Sequence, residues 1–317
     1  MSLPLISVCI PTYHRPKDLL EAIQSCLSQT YTRIEIIICD DSKNDATEQA
    51  VADLVLSGRI RYYRNRPSLG QAGNVNRLFT LATGQYICLL HDDDLLLPNA
   101  LQEMLACWDQ YPDLTVCFGK QHIMNSAGKI LEAESETLNQ TYFRTAQTQG
   151  LQKYSLQSAL LNFPNDAYLI TADAARTVGY RNTPDVGSAC DFDFGLRLAS
   201  AYKYFYFLNR YTAVYRISDE SVLQSSNYTN LTYRLVEQLV VPPEVEPTRR
   251  AILQRYSSAA LNQFLLLGDK QSARSVYTSS WYPWRLRLSS RGLAQAILLL
   301  LPLPLTKRLI AKLQKRK

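Results

Sequence analysis

The chain has 317 residues, 46% hydrophobic and 20% charged, with a formal net charge of +6. That length allows two domains or one large α/β domain with an appendage, and the composition excludes a disordered chain and a polytopic membrane protein. The charge is local: residues 285–317 hold nine Lys or Arg and no acid, which leaves 25 basic against 28 acidic residues elsewhere. A nucleic-acid-binding body would need a basic groove of its own, so that class is set aside and the tail reads as a separate device. The seven cysteines are dispersed without a CxxC, the pattern of buried free thiols in a reducing, cytoplasmic compartment. The opening LISVCIP shows neither a basic n-region nor a long apolar h-region, so no signal peptide is expected.

Leu5 to Pro11 reads as a buried strand, and Pro16 opens a helix on which Leu19, Leu20, Ile23 and Leu27 recur at helical spacing. Ile34 to Cys39 is a second strand ending at Asp40 and Asp41. Ala46 to Leu56 follows as a helix, Ile60 to Tyr63 as a strand, and a helix is predicted from about Ala72. Tyr86 to Leu90 is a fourth strand, ending abruptly in Asp92, Asp93 and Asp94. Such alternation predicts a parallel sheet with right-handed crossovers. Pro98 to Tyr111 reads as a helix, Leu114 to Phe118 as a strand, and Gln121 to Glu132 as a hairpin around Asn125 to Gly128. Glu134 to Gly150 is polar and without period, and reads as a loop. Helices are expected at 155–161, 172–178 and 191–201, extended chain at 167–171, and an aromatic-rich strand at 204–217. From about Asn227 long helical patterns are broken by prolines, which places a boundary near residue 226.

Three places gather carboxylates: Asp40 with Asp41, Asp92 to Asp94, and Asp191 with Asp193. The first two follow strands of the expected sheet, and ligands of open α/β sheets bind outside the carboxyl ends of the strands. Adjacent carboxylates repel unless a cation or a proton relieves them, so a divalent metal carrying a phosphate suits the Asp92 to Asp94 run. A solvated loop with Asp94 as a helix cap suits it too. The chain has no P-loop, GxGxxG, HExxH or GxSxG, which argues against a Walker NTPase, a dinucleotide oxidoreductase, a zinc protease and an α/β hydrolase.

The succession SVCIPTYHRP, EIIICDDSKNDAT, GQAGNVNRLFTLATGQYICLLHDDDLLLP and ACDFDFGLRLA resembles the inverting family 2 glycosyltransferases of GT-A fold, over roughly residues 5–217. The resemblance implies an α/β, Rossmann-like mixed sheet flanked by helices. The domain spans 1–226, with a nucleotide-sugar half at 1–119 and an acceptor half at 120–226, and a helical extension occupies 227–317. It implies that Pro11, Thr12, Tyr13, Arg15, Asp41 and Asp92 bind the nucleotide, although Tyr13 also reads as a core aromatic. The family's DxD motif falls on His91 to Asp94, which implies Asp93 and Asp94 as ligands of Mn2+ or Mg2+. Here His91 stands where the usual first Asp would be, and the division of labour among the three carboxylates stays open.

The family's EDYDLWLR-like motif reads CDFDFGLR, with Cys190 in place of Glu, and implies Asp191 as catalytic base. Asp193 lies four residues before Arg197, a spacing that favours a surface ion pair. At a helix N-terminus Asp191 is expected to be held ionised by the dipole. Arg77 and Asn74 either reach a phosphate or line a solvated helix face. VYRISDES resembles the family's YRxH segment, with Ser218 in place of the His. The implied activity is metal-assisted transfer of a sugar from a nucleoside diphosphate, of UDP type, to a hydroxyl of a glycan or lipid-linked acceptor. The Cys190 and Ser218 departures motivate the alternative of a sugar-nucleotide or glycan-binding protein without transfer. In the tail, Ala296 to Leu305 is too short for a bilayer span of about 20 residues. With KRLIAKLQKRK behind it, it reads as a peripheral contact with an anionic membrane surface.

Overall fold

The computed structural model of the protein describes residues 3–184, 186–217 and 228–314. Ile6–Thr12 (β1) and Ile34–Asp40 (β2) are near-continuous apolar runs, buried along most of their length as inner parallel strands are. Between them Pro16–Leu27 (α1) starts with proline in its first turn and buries Leu19, Ala22, Ile23 and Cys26. Ala46–Leu56 (α2), Arg61–Arg64 (β3), Gly70–Leu81 (α3) and Tyr86–Leu89 (β4) continue the alternation. β1 pairs in parallel with β2 and β4, and β2 with β3. The carboxyl ends of β1 and β4 therefore open side by side on one edge, and from them emerge the Thr12 to Arg15 turn and the Asp92 to Asp94 run.

Beyond β4 come Leu95–Leu96 (β5), Ala100–Leu105 (α4), Cys107–Gln110 (α5), Val116–Met124 (β6), Glu132–Thr141 (α6), Gly150–Leu151 (β7), Ser155–Leu161 (α7), Tyr168–Thr171 (β8), Ala172–Val178 (α8), Cys190–Ala201 (α9) and Phe205–Arg216 (β9). β8 inserts antiparallel between β4 and β6, and β9 runs parallel to β6. The order is β3-β2-β1-β4-β8-β6-β9-β5, with β7 on β9. This is the helix-flanked, mixed α/β sheet that the resemblance implied. The seven cysteines are free and buried.

Three local expectations are corrected. Asp94 caps no helix: β5 follows it, and α4 starts after Asn99 with no side-chain cap. The single helix expected at 98–111 is α4 and α5, joined at Ala106, whose ψ of −18° tightens one turn towards 3-10 geometry. The polar stretch after Glu132 is helical, as α6. Its buried face is Ser135 and Asn139: the Ser135 hydroxyl accepts from the Ile123 amide (2.7 Å), and the Asn139 amide donates to the Gln121 carbonyl (2.9 Å). A helix that docks by hydrogen bonds leaves no apolar period to read.

The chain divides into two compact units, residues 1–184 with 190–218 and residues 185–189 with 219–317. Within the second unit lie Thr229–Gln238 (α10), Glu246–Leu267 (α11), Lys270–Thr278 (α12), Trp284–Arg287 (α13), Ser290–Leu300 (α14) and Leu303–Gln314 (α15). α11 closes on Gly268, which takes the left-handed φ of 89° and returns its amide to the Leu265 carbonyl. No described helix is long and apolar enough to cross a membrane.

Candidate active site

The turn after β1 and the carboxylates after β4 are tied together. The Thr12 hydroxyl donates to Asp92 Oδ2 (2.7 Å), the Tyr13 amide donates to the same oxygen (3.3 Å), and Arg15 Nη1 donates to Asp92 Oδ1 (3.3 Å) and Asp93 Oδ2 (2.5 Å). Burial and the neighbouring Asp93 charge push the Asp92 carboxyl above its ordinary range, against the pull of Thr12 and Arg15. Pro11 is half-buried on β1. Tyr13 is 51% exposed and meets the edge of His14 at 4.3 Å between ring centroids, so it is not a core aromatic.

After β2 the two aspartates separate. Asp40 is buried and satisfied by the Tyr62 hydroxyl (2.7 Å) and the Ser42 amide (2.7 Å). Asp41 accepts from Asn65 (2.5 Å), the Ser68 hydroxyl (3.0 Å) and the Leu69 amide (3.1 Å). Asn74 donates to the Cys39 carbonyl (2.9 Å) and accepts from Asn65 (2.8 Å), and Arg77 donates to Asn65 as well. These two residues thus brace the Asp41 loop from within, and Asn74 is buried rather than on a solvated face.

The remaining groups converge beside the end of β4. Asp94 is 1% exposed; its Oδ1 accepts the Arg216 amide (2.8 Å), and its Oδ2 is buried with no hydrogen-bond partner among the described residues. Burial and the charges of Asp166 and Asp93 push its carboxyl well up. His91, Asp93 and Asp94 each offer a ligand atom, all within 4.8 Å of one another. An orphaned buried carboxylate oxygen beside a second carboxylate and an imidazole fits a divalent cation, which would supply the missing partner. For His91, burial lowers the pKa, but Asp166, Asp191, Asp93 and Asp92 outweigh it and the net shift is upward.

Asp191 stands in the first turn of α9. Its Oδ2 accepts from Gln71 (2.9 Å), its Oδ1 lies 3.9 Å from His91 Nε2, and Oδ1 is buried with no hydrogen-bond partner among the described residues. The expected stabilisation by the helix dipole does not dominate: burial raises the carboxyl, with His91 pulling the other way. Asp193 takes Arg181 Nε on both oxygens (3.1 Å each) and Arg197 Nε on Oδ2 (2.8 Å). The expected pairing with Arg197 is present, but the carboxylate is buried rather than on the surface. Cys190 is buried, and Ser218 lies outside the described residues.

The description "Glycosyl transferase family 2" is that of the family model matching residues 7–161. Residues 7–161 belong to glycosyl transferase family 2. It is 29% identical over 138 residues to the Escherichia coli UDP-Glc:alpha-D-GlcNAc-diphosphoundecaprenol beta-1,3-glucosyltransferase WfgD, covering 43% of this chain and 54% of that one. Across eight curated relatives that it matches, the chain spans between 19% and 54% of their length. Two solved structures share the GT-A fold. S. aureus TarS 1–349 in complex with UDP-GlcNAc has a TM-score of 0.63 at 13% identity, over 93% of this chain and 90% of that one. The mannosyltransferase PcManGT from Pyrobaculum calidifontis, in complex with GDP-Man and Mn2+, has a TM-score of 0.61 at 14% identity, over 94% and 88%.

The structure adds two residues to those read from sequence, Asp166 and Gln71, and makes His91, read there as a departure from the motif, a member of the cluster. Asp166 accepts the His91 amide on Oδ2 (3.0 Å) and lies 4.0 Å from its ring Nδ1. Asp166 lies two residues before β8, and because β8 runs antiparallel to β4, the start of one abuts the end of the other; that pairing alone places it. Gln71 left no sequence signal either, since a polar residue in the first turn of a helix is ordinary.

Proposed function

We propose that the chain transfers a sugar from a nucleoside diphosphate donor, of UDP type, to a hydroxyl of a glycan or lipid-linked acceptor, in a single inverting displacement. The observation that carries this is the lacing of Thr12, Tyr13 and Arg15 onto Asp92 and Asp93, with the unpaired, buried oxygen of Asp191 on the His91 side of the same cluster. Pro11, Thr12, the exposed ring of Tyr13 and Asp41 are then the nucleotide's contacts, and Arg15 is free to turn from Asp93 to a phosphate. Asp93 and Asp94, with His91, would hold Mn2+ or Mg2+, which supplies charge neutralisation for the departing diphosphate.

The chain's own residues perform the rest. The Asp191 carboxylate takes the proton of the acceptor hydroxyl as the hydroxyl oxygen attacks the anomeric carbon from the face opposite the leaving group. Its upward-shifted carboxyl makes it a stronger base than a solvated aspartate. Gln71 on Oδ2 and the nearby His91 fix its orientation. Asp193, spent on two arginines, orients α9 and takes no proton. WfgD carries a diphosphoundecaprenol acceptor in its name, and an acceptor of that kind resides in a bilayer, which gives a peripheral membrane position its purpose.

The test is turnover of UDP-sugars with manganese or magnesium, in the wild-type chain and in Asp93→Ala and Asp191→Ala. Full rates in either variant would sink the assignment. Tight UDP binding with no turnover across a broad panel of donors and acceptors would leave the binding-protein reading in its place.

A further inference from the structure

The second unit exposes apolar side chains that its own core does not use. On α14 the inward residues are Gly292, Gln295, Leu298 and Leu299. Gln295 fixes that choice: it donates to the Ser258 carbonyl (2.9 Å) and to Asn262 Oδ1 (2.7 Å), and accepts the Tyr282 hydroxyl (2.5 Å). Turning this helix over would strand buried polar groups, each costly to leave unpaired. The opposite stripe is therefore held outward. It is Leu293, Ile297 and Leu300, at i, i+4 and i+7, exposed by 53%, 57% and 80%.

α15 repeats the arrangement. Thr306 is buried and donates to the Leu298 carbonyl (3.1 Å), and Ile310 is buried one turn on, so Leu305 and Leu309 face outward. Of the twenty exposed large hydrophobic side chains among the described residues, seven fall within 284–309, Trp284 and Leu288 among them. A concentration of that kind marks an interaction surface.

Charge selects the partner. Arg285, Arg291, Lys307 and Arg308 are exposed among these leucines, and the sequence has no acid from 285 onward. A second copy of the chain docked through the same face would set arginine against arginine. A span is ruled out by length, since α14 has 11 residues and a bilayer needs about 20. We infer that the exposed face of α13 to α15 docks on an anionic lipid bilayer, with leucines at the acyl boundary, arginines and lysines among the headgroups, and Trp284 at the level where indoles collect. It is an in-plane contact built from three short helices.

This inference stands on residues of the second unit and does not need the transferase reading. A chain that bound anionic vesicles yet transferred no sugar would keep the docking face and lose the enzyme.

The test floats the full chain with vesicles of phosphatidylcholine alone and of equal parts phosphatidylcholine and phosphatidylglycerol. The expected result is flotation with the anionic vesicles only, weakened by added salt. Arg285→Gln/Arg291→Gln and, separately, Leu293→Ser/Ile297→Ser/Leu300→Ser should each lower vesicle partitioning about tenfold or more. Both variants change exposed side chains only, so circular dichroism and the thermal shift with UDP should match wild type. Failure of the wild-type chain to float, equal flotation with neutral vesicles, or wild-type partitioning in both variants overturns the inference. So does light scattering that finds a wild-type dimer which the triple variant makes monomeric, because the face would then belong to a second copy.

Discussion

Asp191 and Asp193 sit two residues apart on one helix, and substituting each by asparagine should produce opposite phenotypes. Asp193 is buried and accepts from both Arg181 and Arg197. Breaking a buried pair typically costs about 3–5 kcal/mol, because the surviving charge is left uncompensated. Here the surviving charges are guanidiniums whose side chains are 40% and 28% exposed, so water recovers part of the loss. Asp193→Asn should therefore cost about 2–3 kcal/mol. Asp191 is the reverse. Its charge is already disfavoured by burial, and Gln71 donates to Oδ2 at 2.9 Å while Oδ1 stays unpaired. Asp191→Asn should leave stability within about 1 kcal/mol of wild type, because it removes a charge whose burial was poorly compensated. Loss of a general base costs about 10²–10⁴ in rate. Urea unfolding gives the first quantity and sugar-nucleotide turnover per folded molecule the second. The reasoning is refuted if Asp191→Asn unfolds as easily as Asp193→Asn, or if Asp193→Asn abolishes turnover in molecules that remain folded.

Three further substitutions probe separate parts of the structure. Glu35 accepts from the Ser7 hydroxyl (2.6 Å), the Thr83 amide (2.7 Å) and Arg61 (2.6 Å); burial alone would raise its carboxyl, but these bonds outweigh it and the net shift is down. Its contribution is thus complete above the ordinary glutamate value and is lost as the pH falls through the lower folded value, so Glu35→Gln should flatten the acid side of the stability profile and cost about 1–3 kcal/mol at neutral pH; an unchanged acid slope counts against the network. Asp94→Asn removes the charge behind a partnerless buried oxygen, so it should melt higher than wild type without metal, yet lose most of the gain of about 2.7 kcal/mol that manganese at a hundred times its dissociation constant gives a folded-state site. Equal manganese-induced shifts in both proteins would remove Asp94 from the metal set. A methyl on Gly84 would meet the Leu5 carbonyl oxygen at 2.7 Å and the Ser7 amide at 2.8 Å; Gly84→Ala should therefore cost about 1–3 kcal/mol in denaturant midpoint, and an unchanged midpoint would mean that the edge where α3 enters β4 yields more easily than its backbone contacts imply.

The parallel half of the sheet was legible because burial on both faces leaves uninterrupted apolar runs, and β1, β2 and β4 are such runs separated by helices with readable periods. The second half was legible as elements but not as pairings. Nothing in YLIT or in the aromatic run after Phe205 says that β8 inserts antiparallel between β4 and β6, or that β9 then runs parallel to β6. Those choices depend on which edges remain unpaired once earlier strands have folded, a property of the assembled sheet. α6 escaped for a different reason: its inward face is Ser135 and Asn139, and an interface made of hydrogen bonds leaves no apolar stripe at helical spacing.

The site divides along the same line. Carboxylates that follow strands of known direction could be assigned to one edge before any coordinates, and Thr12, Arg15, Asp92 and Asp93 do meet there. Asp166 could not be assigned, because its place beside His91 follows from the antiparallel sense of β8 and from the hydrogen bond between the Ala167 amide and the Leu89 carbonyl (2.7 Å). That one pairing also changes the meaning of His91. Against a motif it is a missing aspartate; in the fold it is an imidazole whose two nitrogens lie 4.0 Å from Asp166 and 3.9 Å from Asp191. A carboxylate in its place would have added a further negative charge to Asp92, Asp93, Asp94, Asp166 and Asp191, whereas an imidazole offers a ligand nitrogen without that repulsion. The residue that departs from the motif by sequence is, by charge, one that the crowding of this particular edge favours.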